Sequence, residues 1–262
     1  MDMNKLPEAI RSRIQDLPYA ENTVGMSASQ VLMFPDRVLK MGPSSPYTEG
    51  MVQLMQWLQG RLPVPQILCY EVKDGQEYLL MSRIFGKMAC DGEYLSDPDR
   101  LLPLLAEALH RLWQVDITGC PRERSLDAEL KEAGRRLEAG TSDMEYLSSI
   151  AEKEGFAAPE KLLHWLDDNR PPLDPAFSHG DCCLPNIFFH ENRVSGFIDL
   201  GDAGAADRWR DISLCYRSLK HNTDGTYGFI LPGFKPEKLF DHLDITPDWD
   251  KLRYYILLDT FF

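Results

Sequence analysis

Residues 179–201 contain polar side chains whose types and order suit the metal-assisted transfer of a phosphoryl group. A His-Gly-Asp motif ends at Asp181, Asn186 follows it, and Asp199 precedes Leu-Gly. Such a transfer needs a carboxylate that orients the acceptor hydroxyl, and oxygen ligands for the Mg²⁺ ions that bridge the phosphates. Asp181 suits the first role, and Asn186 and Asp199 suit the second. Either aspartate alone is more typical of a turn or a helix cap, but the ordered set favours this chemistry.

The segment between the two candidate metal ligands is expected to bring them together. Two short runs, residues 187–190 and 193–198, flank a polar Glu-Asn pair, a pattern that predicts a β-hairpin. Such a hairpin would place Asn186 and Asp199 side by side at its open end, although they are 13 positions apart. The sequence therefore predicts one compact site.

The composition of the chain limits the class of protein and its partners. The chain has 262 residues, 44% of them hydrophobic, which is enough for a substantial core divided between two lobes. No apolar run reaches the ~18 residues of a membrane span, and the N-terminus lacks the features of an export signal, so we expect a cytoplasmic protein. A net charge of −13 disfavours nucleic acid as a substrate. This negative charge would attract a cationic small molecule, or it only keeps the protein in solution.

The cysteines show no Cys-x-x-Cys pair and no companion histidine at zinc spacing, so we expect reduced thiols. Two of them, Cys182 and Cys183, are adjacent and lie inside the candidate catalytic loop. We expect them to fill space behind that loop, and a redox role is left open.

Periodicity divides the chain into a strand-rich beginning and a helical remainder. Strand pairs are predicted for residues 31–34 with 37–41 and for residues 67–72 with 76–83, with a helix at 47–58 between the two pairs. Residues 121–158 are expected to be helical with an irregular connection. Further helices are predicted at residues 98–115, 159–167, 211–219 and 247–258. This order predicts an α+β, bilobal fold with ATP in the cleft between the lobes.

Three segments resemble the aminoglycoside 3'-phosphotransferases, the kanamycin-kinase family with a protein-kinase-like fold, and the type III branch above all. They are residues 177–181 (Phe-Ser-His-Gly-Asp), 194–201 (Val-Ser-Gly-Phe-Ile-Asp-Leu-Gly) and 254–259 (Tyr-Tyr-Ile-Leu-Leu-Asp). The match extends from about residue 21 to the end of the chain. The resemblance implies an ATP- and Mg²⁺-dependent phosphotransferase acting on an aminoglycoside 3'-hydroxyl, which is an antibiotic-resistance activity.

With this resemblance, residues 1–85 are expected to form the N-terminal nucleotide-binding lobe, with an antiparallel sheet, one helix and a hinge at about 82–86. Residues 86–262 are expected to form the larger, mostly helical lobe that carries catalysis and substrate binding. Asp181 is implied to be the catalytic carboxylate, with Asn186 and Asp199 holding magnesium. The residues implied to bind the nucleotide are Lys40 on the α- and β-phosphates, Ser27 in the loop over the phosphates, Met81 behind the adenine, and Ser82 and Ile84 through backbone groups.

Two positions in the N-terminal lobe depart from the family pattern. The helix glutamate that pairs with the phosphate-binding lysine in the family falls on Met51. The nearest acid, Glu49, is about 200° away around a helix, so it can take this role only if the helix starts late or is shifted. Val38 stands where the family often has an aromatic side chain that stacks on adenine.

The acceptor site departs further. Asp202 stands where the family has arginine after Asp-Leu-Gly, whereas Arg217 and the terminal carboxylate of Phe262 are retained; these three are the implied acceptor contacts, with the acids of residues 143–154 as further candidates. The acidic positions that hold substrate ammonium groups in the type III branch fall on His221, Asn222 and Thr260. A narrower aminoglycoside range is therefore expected.

Two alternatives to an aminoglycoside kinase stay open. One is a kinase of another hydroxylated metabolite, such as an amino alcohol, a sugar or another antibiotic. The other is a non-catalytic homologue that binds nucleotide. None of the three interpretations involves nucleic acid, a membrane or an obligatory protein partner.

Overall fold

A five-stranded antiparallel sheet forms the N-terminal part of the chain, with the strand order β1-β2-β3-β5-β4. The computed structural model describes residues 6–22 and 30–262. Asp74 and Gly75 join the last two strands and both have positive φ angles, 53° and 73°, as a tight hairpin turn requires. Both predicted strand pairs are confirmed. The strands are β1 (Ala20–Asn22), β2 (Gln30–Met33), β3 (Arg37–Pro43), β4 (Ile67–Lys73) and β5 (Gln76–Ser82).

A helix covers each face of this sheet. Helix α1 (Glu8–Ile14) packs through Ile10 and Ile14 on the face that carries Leu39 and Leu80. Helix α2 (Pro46–Leu58) covers the other face. Ser45 caps it by accepting a hydrogen bond from the Tyr47 N–H, and the fixed φ of its first residue, proline, suits that position. The predicted helix at 47–58 is confirmed.

The C-terminal part is mostly helical and contains two small sheets. Strands β6 (Lys87–Met88), β8 (Ile187–His190) and β9 (Arg193–Phe197) form one, and β7 (Pro175–Ser178) pairs with β10 (Gly204–Asp207) in the other. The helices are α3 (Gly92–Leu95), α4 (Pro98–Trp113), α5 (Leu126–Ala139), α6 (Met144–Lys153), α7 (Pro159–Asp168), α8 (Arg208–His221), α9 (Lys238–Leu243) and α10 (Trp249–Asp259). No helix in the described part of the chain combines the length and the apolar character that crossing a membrane requires.

The predicted α+β architecture, with an antiparallel sheet followed by a helical part, is confirmed. Helices α4, α7, α8 and α10 and the hairpin β8–β9 lie where the sequence places them, and the polar stretch 121–158 contains α5 and α6. The proposed lobe boundary stays a prediction. Strand β5 ends at Ser82, and Lys87 already pairs with Phe189 of β8 in the C-terminal part.

Helix α2 joins the two parts of the molecule. The Phe197 N–H at the end of β9 donates to the carbonyl of Pro63, which follows α2, at 2.9 Å. On α2 itself, the Trp57 ring lies 6.1 Å from the ring of Phe177 in β7, and Leu54 is fully buried in the core shared with the C-terminal part. The N-terminal sheet is thereby fixed over the end of the β8–β9 hairpin.

Candidate active site

The side chains of Asp181 and Asn186 are hydrogen bonded to each other. A short 3₁₀ turn, Leu184–Asn186, returns the chain toward the His-Gly-Asp loop. The Asn186 Nδ2 atom donates to the Asp181 carboxylate at 2.8 Å and to the Asp181 carbonyl at 3.0 Å. At the open end of the hairpin, the Ile198 N–H, which follows β9, donates to the carbonyl of Asn186, which precedes β8, at 3.0 Å. The hairpin therefore brings Asn186 next to Asp199, as its pattern predicts.

Asp199 presents its carboxylate to the cleft below the N-terminal sheet. Its φ angle of 60° is in the left-handed region, which aspartate tolerates better than most residues. One carboxylate oxygen lies 3.6 Å from the Nζ atom of Lys40 on β3. Both side chains are partly exposed, 58% for Asp199 and 35% for Lys40, so the pair is open to a ligand. The structure thus brings together Lys40, Asp181, Asn186 and Asp199.

His179 ties the loop that carries Asp181 to the loop that carries Asp199. The Nδ1 atom of its buried ring accepts a hydrogen bond from the Asp181 N–H at 3.3 Å. The Nε2 atom lies 2.9 Å from the carbonyl oxygen of Ile198. A neutral imidazole with its proton on Nε2 satisfies both contacts. Gly180 has a φ angle of 82°, and a Cβ atom there would collide with the carbonyl of Asp202. Glycine is therefore required between the two loops.

Asp211 of α8 holds the His-Gly-Asp loop from behind. Its buried carboxylate accepts hydrogen bonds from the Ser178 hydroxyl at 2.9 Å, the His179 N–H at 2.8 Å and the Gly180 N–H at 3.1 Å. Burial raises the pKa of Asp211, while these donors favour its charged form. This role of Asp211 was not predicted from the sequence. The available signal was an acid on the otherwise apolar face of the predicted helix at 211–219.

Asp202 lies at the cleft, but two groups of this chain contact it. Arg124 forms an ion pair with it at 3.2 Å, and the Tyr47 hydroxyl of α2 lies 3.5 Å from it. Burial, together with the negative charge of Asp202, raises the pKa of Tyr47 to about 12. Arg122 donates to the carbonyl of Gly201 and lies over the Tyr47 ring. The carboxylate expected to meet a substrate cation is thus partly neutralised by Arg124.

A second arginine–carboxylate pair lies on the other side of Asp181. Arg217 of α8 is 2.6 Å from Asp259 at the end of α10, and both side chains are largely buried. Although burial works against its charge, the Asp259 carboxylate raises the pKa of Arg217. Cys183 lies between this pair and Asp181, and burial followed by the Asp181 charge raises its pKa. The raised pKa favours the protonated thiol over the thiolate, which is the reactive form. All six cysteines are free. Asp259 was missed as a site residue, although it ends the third resembling segment.

The remaining acceptor positions also have internal contacts. The main-chain oxygen of Phe262 accepts a hydrogen bond from Arg136 at 2.9 Å, and the Arg136 guanidinium lies over the Phe262 ring. Burial lowers the pKa of His221, whose ring meets that of Tyr227 edge to face. The lowered pKa favours the uncharged form of His221.

The expected nucleotide contacts fall partly within the described residues. Ser27 lies outside them. Met81 is buried in the shared core at the end of β5, where its backbone pairs with that of Val38. The Ser82 N–H donates to the Gln66 carbonyl at 2.8 Å and is therefore already used within the N-terminal part. The N–H of Ile84 donates to no group in the described part of the chain.

Glu49 does not replace the missing helix glutamate. Helix α2 starts neither late nor out of register, since it begins at Pro46. Glu49 is exposed and forms no ion pair with another described residue. Met51 occupies the inward-facing position and is buried. The open question about Glu49 is thus answered against it.

The donor set near the hairpin suits magnesium. Asn186 turns its amide nitrogen to Asp181, which leaves the amide oxygen for a cation, and Asp199 adds a partly exposed carboxylate. Within residues 6–22 and 30–262, no group of three or more His, Cys, Asp or Glu side chains is placed to hold a metal unaided. Two oxygen ligands completed by substrate phosphates and water are the arrangement that Mg²⁺ usually adopts.

The fold and this constellation define the class of the protein, a phosphotransferase with a kinase-like, two-part α+β architecture. The chain belongs to the phosphotransferase enzyme family, whose model matches residues 24–255. It is 35% identical to an aminoglycoside 3'-phosphotransferase of Enterococcus faecalis over 98% of both chains, and 35% identical to that of Staphylococcus aureus over the same shares. The predicted family relationship is confirmed.

Solved structures of related proteins share the fold. Aminoglycoside phosphotransferase APH(3'')-Id of Streptomyces rimosus superposes with a TM-score of 0.80 at 23% identity, covering 100% of this chain and 98% of its own. An aminoglycoside 3'-phosphotransferase of type VIII gives 0.76 at 27% identity, covering 97% and 98%. The S. rimosus protein has also been solved in complex with ADP and streptomycin. That structure superposes with a TM-score of 0.79 at 23% identity, covering 100% of this chain and 98% of its own. The kinase-like fold predicted from sequence is therefore confirmed.

Proposed function

We propose that this protein transfers the γ-phosphoryl group of ATP to a hydroxyl of an aminoglycoside, with Mg²⁺ as its cofactor and the cytoplasm as its location. The observation that carries the proposal is the convergence of Lys40, Asp181, Asn186 and Asp199 on one cleft. The full-length similarity to aminoglycoside 3'-phosphotransferases supports the choice of acceptor and of the 3'-hydroxyl.

Each residue of the convergence has a distinct role in the proposed reaction. Asp181 accepts a hydrogen bond from the acceptor hydroxyl and aims its oxygen at the phosphoryl group. Asn186 holds the Asp181 carboxylate in that orientation through the 2.8 Å bond from its amide. Asn186 and Asp199 would hold the magnesium, which neutralises charge on the phosphates when it is bound. Lys40 binds the α- and β-phosphates.

The adenine is proposed to lie against residues 82–86, which serve as the hinge between the two lobes. The Ile84 N–H would donate to the adenine edge, and the Ser82 carbonyl would accept from it. Met81, buried at the start of this linker, would close the back of the adenine pocket. Ser27 is proposed to cover the phosphates.

The acceptor is proposed to bind near Asp202, Arg217 and the Phe262 carboxylate. One feature favours a second candidate, a kinase of a less cationic hydroxylated metabolite. Three groups near the proposed acceptor site already have an arginine contact. Arg124 contacts Asp202, Arg217 contacts Asp259, and Arg136 contacts the main-chain oxygen of Phe262. A polycation has to compete with several of these internal cations, an amino alcohol with its single ammonium competes with fewer, and a neutral sugar competes with none.

Release of ADP from MgATP, measured across a panel of aminoglycosides, amino alcohols and sugars, tests the proposal. We expect an aminoglycoside to give the highest kcat/KM, and phosphorus NMR of the product to place the phosphate on the 3'-oxygen. Asp181→Ala is the control, since it removes acceptor-dependent ADP release without removing either magnesium ligand. Turnover of sugars or amino alcohols alone would establish the second candidate, and binding of MgATP without turnover of any acceptor would refute both.

A further inference from the structure

The phosphate-binding lysine of this chain lacks the helix glutamate that its family pattern provides, and the cleft contains another carboxylate that can serve it. Lys40 lines a cavity of about 310 Å³ together with Thr48, Met51, Glu77, Asp181 and Asp199. Met51, at the position of the helix glutamate, offers only an apolar side chain. Glu77 is the acid that the N-terminal sheet contributes to this cavity, and no role has been assigned to it so far.

The strand register places Glu77 beside Lys40. Lys40 of β3 lies opposite Leu79 of β5, and Gly42 lies opposite Glu77. Positions two residues apart on a strand face the same side, so Lys40 and Glu77 are diagonal neighbours on the face covered by α2. Diagonal neighbours are within reach of long side chains. Gly42, directly opposite Glu77, has no side chain that could pair with the carboxylate.

Two hydrogen-bond donors hold the Glu77 carboxylate inside the cleft. The carboxylate is 8% exposed, and it accepts hydrogen bonds from the Thr48 hydroxyl at 2.5 Å and from the Ser45 N–H at 3.1 Å. Both donors belong to the start of α2, whose helix dipole favours an anion at that end. Burial, together with the charge of Glu77, raises the pKa of Tyr70 on the neighbouring strand β4.

This charge lacks a cation at ion-pair distance among the described residues. A buried carboxylate without a counter-charge is costly, and two hydrogen bonds offset that cost only in part. Lys40 is the cation of the cleft, and in this structure it contacts Asp199 at 3.6 Å. Asp199 is also the proposed magnesium ligand, so it cannot serve as the permanent partner of a lysine that binds phosphates.

We propose that Glu77 of β5 is the positioning carboxylate for Lys40, taking from the strand side the role that the family assigns to a glutamate of helix α2. This inference rests on the proposed function, because it assumes that Lys40 binds nucleotide phosphates. Glu77 attracts the ammonium group of Lys40 and so holds it over the phosphates, without itself touching the nucleotide. The simpler role, a cap for α2, needs only the hydrogen bonds of Glu77, whereas positioning of Lys40 needs its charge.

Glu77→Gln separates the two roles, because the amide keeps an acceptor for Thr48 and loses the charge. We expect the Kd of MgADP and of a non-hydrolysable ATP analogue, measured by calorimetry, to rise about tenfold, the effect of losing one charge-assisted contact. Glu49→Gln, which neutralises an exposed acid of α2, the helix whose start Glu77 contacts, is the matched control and should leave both Kd values unchanged. A lower melting temperature with unchanged Kd values would overturn the proposal and leave Glu77 as a cap.

Two further variants test whether Glu77 acts through Lys40. In a Lys40→Met background, Glu77→Gln should change the Kd less than about twofold, since its partner is already absent; additive losses would overturn the proposal. Adding Met51→Glu to Glu77→Gln restores a carboxylate from the middle of α2, where it cannot cap the helix. We expect this variant to recover the wild-type Kd, and a folded double variant without recovery would contradict the inference. Wild-type protein that binds no MgADP would overturn the proposed function as well.

Discussion

Replacement of Asp211 by asparagine tests whether the buried carboxylate of α8 positions the catalytic loop. This carboxylate accepts three hydrogen bonds, of 2.8 to 3.1 Å, from Ser178, His179 and Gly180. All three donors immediately precede Asp181 in the chain. Asparagine has nearly the same shape, keeps one acceptor oxygen and turns an NH₂ group toward the remaining donors. The substitution therefore disturbs the hydrogen bonds without leaving a cavity.

The size of the effect follows from the bonds that are lost. At least one charge-assisted hydrogen bond disappears, which costs about 1.5–3 kcal/mol. Removing a buried charge recovers part of its desolvation cost, so we expect the free energy of unfolding to fall by about 1–2 kcal/mol. The loosened loop shifts Asp181 relative to the acceptor, and misplacement of a reacting group by about 1 Å lowers kcat by up to about 100-fold.

Urea denaturation and steady-state ADP release measure these two effects separately. We expect kcat to fall between about 10- and 100-fold while the KM for MgATP changes less than about threefold, because Lys40 and Asp199 are untouched. Ser213→Ala is the matched control, since the Ser213 hydroxyl is buried on the same helix and has no hydrogen-bond partner among the described residues. Wild-type kcat in an Asp211→Asn protein with reduced stability would refute a positioning role for Asp211.

Three further predictions concern the catalytic carboxylate and the acceptor. Asp181→Ala should lower kcat by about 100-fold or more while calorimetry finds MgATP affinity unchanged, since the metal ligands remain; near-normal turnover would refute its assignment. Arg124→Met frees Asp202 and should lower the KM of an aminoglycoside severalfold at low salt, an effect that ~0.5 M NaCl removes; an unchanged KM at both salt concentrations indicates an uncharged acceptor. Residues added after Phe262 displace its main-chain oxygen from Arg136 and should raise the acceptor KM while sparing the KM for MgATP; an acceptor KM that stays the same removes Phe262 from the site.

The catalytic half of the site was predictable because its signals are local. The His-Gly-Asp motif, Asn186 and the hairpin lie within residues 179–201, and period-two patterning with a polar turn is enough to place Asn186 beside Asp199. Helix α2 was predictable for a similar reason, since its apolar residues recur at helical spacing and Ser45 and Pro46 mark its start.

The supporting half was not predictable, because it depends on contacts between distant segments. Asp211 meets the catalytic loop about 30 positions away, and Tyr47 meets Asp202 across 155 positions. No periodicity or motif encodes such pairs. The burial of Glu77 depends on where α2 begins relative to β5, and a Gln-Glu-Tyr strand start looks solvent-exposed in sequence alone. Short elements such as β6 and α3 carry too few residues to show a period.

The arginines around the cleft link acceptor recognition to the geometry of the catalytic loops. Arg122 holds the carbonyl of Gly201, and Arg124 holds the carboxylate of the next residue, Asp202. The backbone of Asp202 in turn packs against Gly180, the residue before Asp181. A substrate ammonium that takes Asp202 from Arg124 therefore gains an anchor and loosens the support of the loop that orients its own hydroxyl. For Arg124→Met this coupling predicts that kcat falls together with KM, so that tighter binding of a cationic acceptor is offset by slower transfer.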